Sequence, residues 1–184
     1  IVFGAETVAG EGVYAIVDGV VSVIADETTL VPGQIGEFTD FATSSDVSNG
    51  RVLFEGGRPG DTERSLFLHD GTDIVPVALV GETLPDGNVI NFIGNAAIEG
   101  DVVVFDANDG NIFAWHDGVI SRVLLPGDEV GGFVVDAVSN FRRFHFAGDW
   151  IGIRVESVGG VEAIIRIEIL DTCPADLDSS GDVG

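Results

Sequence analysis

Three Asp-Gly pairs, Asp18-Gly19, Asp70-Gly71 and Asp117-Gly118, each separate two apolar stretches of strand character. The flanks read VYAIV and VVSVIA, LFL and TDIVPVAL, and IFAW and VISRVL. A type I′ hairpin turn needs positive φ at both central residues. Asp and Gly tolerate this, so Asp-Gly between alternating apolar residues is the strongest local hairpin signal. Three such hairpins at near-equal spacing mark a repeat protein and point to antiparallel β structure throughout.

The repeat extends beyond one hairpin. A second set of turns, Asn49-Gly50, Gly100-Asp101 and Gly148-Asp149, precedes the strands RVLF, VVVF and WIGI. Their closing residues Phe54, Phe105 and Ile153 align, and Phe3 fits one period earlier. The unit is strand, Asp-Gly turn, strand, loop, strand, Gly turn, strand, about 50 residues long and in the range of propeller blades. Complete copies run over 12–57, 65–107 and 111–156, with partial blades at both ends. Helical periodicity is absent from the body of the chain.

The expected fold is therefore all-β: four-stranded antiparallel blades in tandem, a partial or open β-propeller over residues 1–170. Closure of the ring is expected to be absent or imperfect, using residues 1–5 and 161–170. A tandem β-sandwich is the second possibility. It is disfavoured because so short a repeat buries too little surface to stand alone.

The loops between the hairpins repeat as well: ADETTLVPGQIGEFTDF, VGETLPDGNVINFI and LPGDEVGGFVVDAV. Each carries a Gly bend, acidic residues and a Phe or Val stretch. Two readings stand. The loops are structural connections, or their acids converge on one face to hold a cation or polar ligand. Single-site chemistry does not need three copies, which favours the structural reading.

The formal charge is −23, with 31 acidic residues and eight basic ones, all arginine. Such a surface excludes a nucleic-acid backbone as partner and disfavours anionic membranes. No apolar run reaches the roughly 18–20 residues of a transmembrane helix. The chain has no methionine, Ile1 enters mid-strand, and the C-terminus falls inside a motif, which reads as a fragment. Cys173 is the sole cysteine and has no internal disulfide partner.

Residues 173–184 form a separate tail, Cys-Pro-Ala-Asp-Leu-Asp-Ser-Ser-Gly-Asp-Val-Gly, within a terminal segment 171–184. With Asp176 at position 1 of an EF-hand-type loop, Asp178 falls at 3, Ser180 at 5, Gly181 at the turn glycine and Asp182 at 7 through its carbonyl. Calcium takes oxygen ligands at those alternate positions, and glycine permits the sharp turn. The sequence ends before the bidentate acid of position 12, so any calcium affinity of this chain is expected to be weak. The tail itself is expected to be exposed and poorly ordered.

This tail resembles the start of the dockerin-type anchor of secreted proteins from planctomycete-like bacteria. The repeats resemble the tandem-repeat propeller-like proteins that carry such an anchor. The usual Gly-Asp of the anchor is replaced here by Ser179-Ser180. The resemblance implies a secreted or cell-surface protein, a cohesin-like or other cell-surface anchoring partner, and calcium bound through Asp176, Asp178, Ser180 and Asp182. It implies no reaction.

No catalytic or cofactor-binding residue is expected. His69 and His116 occupy the same repeat position before Asp-Gly, which is a turn-flanking role, and His145 lies between two phenylalanines. The nucleophile, zinc and phosphate-loop motifs are missing. Arg142-Arg143 is read as pairing with local carboxylates, and Trp115 and Trp150 as packing residues rather than a sugar platform. The expected function is a secreted scaffold or binding module. The alternative is an extracellular polysaccharide hydrolase or lyase, suggested by the company that dockerin-like segments keep.

Overall fold

The computed structural model describes residues 1–7, 10–33, 35–108, 110–138, 144–147 and 150–168. Every regular element among them is a strand. In chain order these are β1 (Val2–Thr7), β2 (Gly10–Val17), β3 (Val20–Asp26), β4 (Phe41–Ser48), β5 (Arg51–Gly56), β6 (Ser65–His69), β7 (Ile74–Ala78) and β8 (Ile93–Glu99). There follow β9 (Val102–Ala107), β10 (Asn111–His116), β11 (Val119–Leu124), β12 (Glu129–Val130), β13 (Phe133–Val138), β14 (His145–Ala147), β15 (Trp150–Ser157) and β16 (Glu162–Glu168).

The strands form four antiparallel sheets. The first is β1-β2-β3, the second β4-β5-β6-β7 and the third β8-β9-β10-β11. In the fourth, β15 pairs with β13, β14 and β16, and β12 pairs with β13. The two middle sheets are meanders in which a Gly-turn hairpin precedes an Asp-Gly hairpin. The hydrogen-bonded unit thus takes the repeat in a different phase from the one read off the sequence. The physical reason is connection length. β9 and β10 follow one another closely within one sheet, whereas the stretch from Leu79 to Phe92 is long enough to carry the chain to the next one.

Turn chemistry explains the hairpins. Asp18 and Gly19 have φ of 51° and 79°, and Asp117 and Gly118 have 48° and 81°. Val17 pairs with Val20 and His116 with Val119, so both loops hold two residues, as expected of Asp-Gly. Asn49 and Gly50 form the same turn, at 50° and 80°. Asp70-Gly71 departs from expectation. His69 pairs with Ile74, which gives a four-residue loop, Asp70–Asp73. The Asp70 carboxylate accepts hydrogen bonds from the backbone N–H of Thr72 at 2.8 Å and Asp73 at 2.9 Å, and the Asp70 N–H donates to the Asp73 carbonyl. Where Val follows Asp-Gly the strand resumes at once; here Thr-Asp follows, and the Asp70 side chain can organise the wider loop.

Three cores join the four sheets in series. Val13 and Ala25 of the first sheet pack with Val52, Phe54 and Phe67 of the second. Leu53, Leu66 and Leu68, on the other face of the second sheet, pack with Val103, Phe105 and Phe113 of the third. Val104, Ile112 and Leu124 pack with Ile151, Ile153 and Ile165 of the fourth. The middle sheets are covered on both faces, which is why β5 and β9 carry the consecutive apolar residues Val52–Phe54 and Val102–Phe105. Phe54, Phe105 and Ile153 are 1%, 0% and 3% exposed, and each faces the preceding sheet, as their alignment predicts. β1 and β16 lie in the first and last sheets and share no ladder, so residues 1–5 and 161–170 do not close a ring by strand pairing among the described residues.

The expected all-β architecture of tandem antiparallel blades is thus present, with three to five strands per sheet.

Candidate binding pocket

A pocket of about 390 Å³ opens where β4, β5 and β6 of the second sheet meet β8 of the third. Asp46, Leu53, Glu55, Leu66, Asn95 and Phe144 are among its lining residues. Two irregular edges shape it. The β4–β5 register shifts between Phe41 and Ser45, and the β8–β9 register shifts between Ile93 and Ala96. Glu55 and Asp106, each one residue past an aligned phenylalanine, lie opposite these corresponding bulges.

The bulge in β8 depends on glycine. A Cβ on Gly94 would sit 2.0 Å from Asp106 Oδ1. Without it Asp106 turns into the space, is buried, and accepts a hydrogen bond from Asn95 Nδ2 at 2.8 Å. Asp46 is likewise committed. One oxygen accepts the Val47 N–H at 2.9 Å, and the other accepts the Ile98 N–H across the gap between sheets at 3.0 Å. The Ser48 hydroxyl accepts the Gly100 N–H, and Arg51 pairs with Asp101 at 2.6 Å. These bonds fix the second sheet against the third.

Glu55 stands apart from this network. Its carboxyl is half-buried and has no hydrogen-bond partner among the described residues. Burial pushes its pKa up to about 7. The Arg64 guanidinium opposes that shift, and the Asp106 carboxylate reinforces it. Arg64 is held at 3.0 Å by Asp40. Desolvation beside a second carboxylate is the usual physical origin of a carboxyl poised near neutrality.

The acidic loops resolve into structure. Leu79 N–H donates to the Glu82 carboxylate and Leu125 N–H to the Asp128 carboxylate, while Asp26 N–H donates to the Thr29 hydroxyl. In each case the residue three positions on donates its own N–H back to the carbonyl of the first. One reciprocal turn thus recurs after the last strand of three successive sheets, and its side chain is a cap. Among the described residues no group of three or more His, Cys, Asp or Glu is placed to hold a metal ion.

The other residues singled out from sequence are dispersed. His69 Nδ1 accepts the Gly71 N–H at 3.3 Å, and His116 Nε2 lies 3.9 Å from Asp117, so both flank their turns in separate sheets. Trp115 is buried in the core between the second and third sheets. Trp150 lies under the Arg166 guanidinium, 3.8 Å from the ring centroid. Asp176, Asp178, Ser180, Asp182, Cys173, Arg142 and Arg143 lie outside the described residues, and of His145 only its place in β14 is described.

Glu55 is the residue that motif reading missed. A signal was present. An acid directly after Phe54 and another directly after Phe105 interrupt strands whose two faces are both apolar. A charge in that setting is unusual unless it lies at a site or is paired. Comparison with known proteins finds no matching family model, no matching curated protein and no matching solved structure.

Proposed function

We propose that this chain is a secreted, non-catalytic binding or scaffold module that presents a pocket between stacked blades. In this reading the C-terminal segment tethers it to a cell surface or to a cohesin-like partner, and calcium acts through the tail donors Asp176, Asp178, Ser180 and Asp182. The anchor rests on sequence resemblance alone. The binding role rests on one observation: among the described residues Glu55 is the pocket carboxylate with no hydrogen-bond partner, in a lining that contains no histidine, cysteine or serine. Such a lining can orient a ligand, whereas bond cleavage needs a second positioned group.

A hydrolase acting on extracellular polysaccharide is the second reading. Its support is specific: a carboxyl raised to about 7 next to another carboxylate is the pattern of a general acid. Asp106 weakens that case because it is buried and bonded to Asn95.

The two readings separate in one experiment. The chain is incubated with a panel of neutral and acidic polysaccharides, and both retention and new reducing ends are measured. The binding reading expects no release of reducing ends. Release that Glu55→Gln abolishes would overturn it in favour of the hydrolase.

A further inference from the structure

We infer that the pocket between the second and third sheets is a site for an aliphatic primary ammonium group, with Glu55 as its counter-ion. This names the ligand class of the pocket and rests on the reading of the chain as a binding module. The argument proceeds by elimination over the lining. Leu53, Leu66, Ala96 and Phe144 supply apolar walls suited to an alkyl chain. Asp46 is held by two backbone N–H groups, so it is not the free charge. Asn95 uses its amide nitrogen on Asp106, which leaves its carbonyl oxygen to accept from a donor. Among the described lining residues Glu55 alone offers an unbonded carboxylate.

Charge decides the ligand's sign. Among the described lining residues there is no cationic side chain, the nearby Arg64 is held by Asp40, and an anion would meet Asp46 and Glu55. A neutral ligand would meet Glu55 as a protonated carboxyl and gain no charge pairing from it. A hard metal cation wants six to eight oxygens, and the described lining offers about three, two from Glu55 and one from Asn95. An ammonium carries three N–H donors on a compact charge and is satisfied by a carboxylate and a carbonyl oxygen. The chain has no lysine of its own to fill this role. A volume of about 390 Å³ accommodates a short alkyl chain with room for water. The ligand chemistry is shared by a free alkylamine and by a lysine side chain of another protein.

Binding and proton loss are then linked. The ammonium binds the ionised carboxylate, so affinity rises as pH passes from 6 to 8 and levels off beyond. With the carboxyl poised at about 7, the gain across that window is about tenfold.

The test is calorimetric titration of the chain with n-butylammonium at pH 6, 7 and 8, with sodium and n-butanol as controls. The expected result is saturable binding by n-butylammonium alone, strengthening about tenfold from pH 6 to 8. Glu55→Gln should lose at least about tenfold of that affinity at pH 8. Ala96→Leu, which fills the pocket while keeping the carboxylate, should lose it too, and thermal melts check that both variants fold. Binding of Nα-acetyl-lysine amide in place of butylammonium would assign the site to a lysine side chain; equal binding of both would assign it to amines generally. No binding at pH 8, binding retained by Glu55→Gln, or binding that does not vary with pH would overturn the proposal. So would binding seen only after Arg142 and Arg143 are replaced by alanine. Each of these outcomes without polysaccharide cleavage leaves the binding-module reading intact, whereas cleavage that depends on Glu55 removes both.

Discussion

Phe105 stacks on Phe113 across β9 and β10, with ring centroids 5.8 Å apart and planes at 29°. Phe54 and Phe67 repeat the relationship at 5.8 Å and 25° one sheet earlier, and Phe3 and Tyr14 at 5.9 Å and 24° in the first sheet. In the fourth sheet Ile153 faces Ile165 across the same register. A cross-strand pair of large apolar side chains is thus the repeated unit, and the second, third and fourth sheets present it to their predecessors.

Truncating one member of a covered pair should be costly. Phe105→Ala is expected to destabilise the chain by about 3–5 kcal/mol, since both transfer energy and a cavity are lost. Phe3→Ala should cost less, because Phe3 is only partly buried. Urea unfolding of both variants checks this, and equal losses would contradict the covered-pair account.

The turn that recurs after the first three sheets gives a second expectation. Asp128 caps the Leu125 N–H at 2.7 Å and also pairs with Arg122. Asp128→Ala should lower stability by about 1–2 kcal/mol, because a half-buried N–H loses its acceptor. Asp128→Asn keeps an acceptor and should recover most of that loss. Calorimetric melts of the pair distinguish the cap from the surface ion pair.

Glu55 sets a pH dependence whose sign is unusual for a carboxyl. Below pH 4.5 it is protonated in both folded and unfolded chains. Between 4.5 and about 7 the unfolded chain ionises while the folded one keeps its proton, so stability falls as pH rises through this window. The loss is on the order of 3 kcal/mol and is complete above the folded value. Asp26 acts oppositely at the acid end. The Thr28 hydroxyl and neighbouring N–H groups hold its pKa down, so its contribution is lost as pH falls below the usual carboxylate value. Melting temperatures from pH 5 to 8 should therefore decline for the native chain and stay flatter for Glu55→Gln.

Gly94 tests the bulge that shapes the pocket. Gly94→Ala places a methyl against Asp106 Oδ1, and the Asn95–Asp106 bond must break or β8 must shift. The expected cost is about 1–3 kcal/mol. Gly94→Ala together with Asp106→Ala, which clears the space, should not add the two single losses, and a double-mutant cycle on unfolding free energies reads the coupling.

The sequence by itself determined the strands, most of the turns and the repeat. Those follow from local chemistry: positive φ at Asp18-Gly19, Asn49-Gly50 and Asp117-Gly118, and apolar residues recurring at Phe3, Phe54, Phe105 and Ile153. It misjudged the Asp70 loop because the residues beyond Asp-Gly, Thr72 and Asp73, set its width through hydrogen bonds to one side chain. Only the tertiary structure decided which strands share a sheet, since a period of four strands can be cut at any connection and only connection length and burial choose the place. It alone placed Glu55 as well. A carboxylate's chemistry depends on what surrounds it in space. Asp46 comes close to Glu55 through the β4–β5 pairing, but Asn95 from a bulge in β8 and Asp106 from β9 reach its neighbourhood only when two sheets stack, so no spacing along the chain could have displayed the pocket.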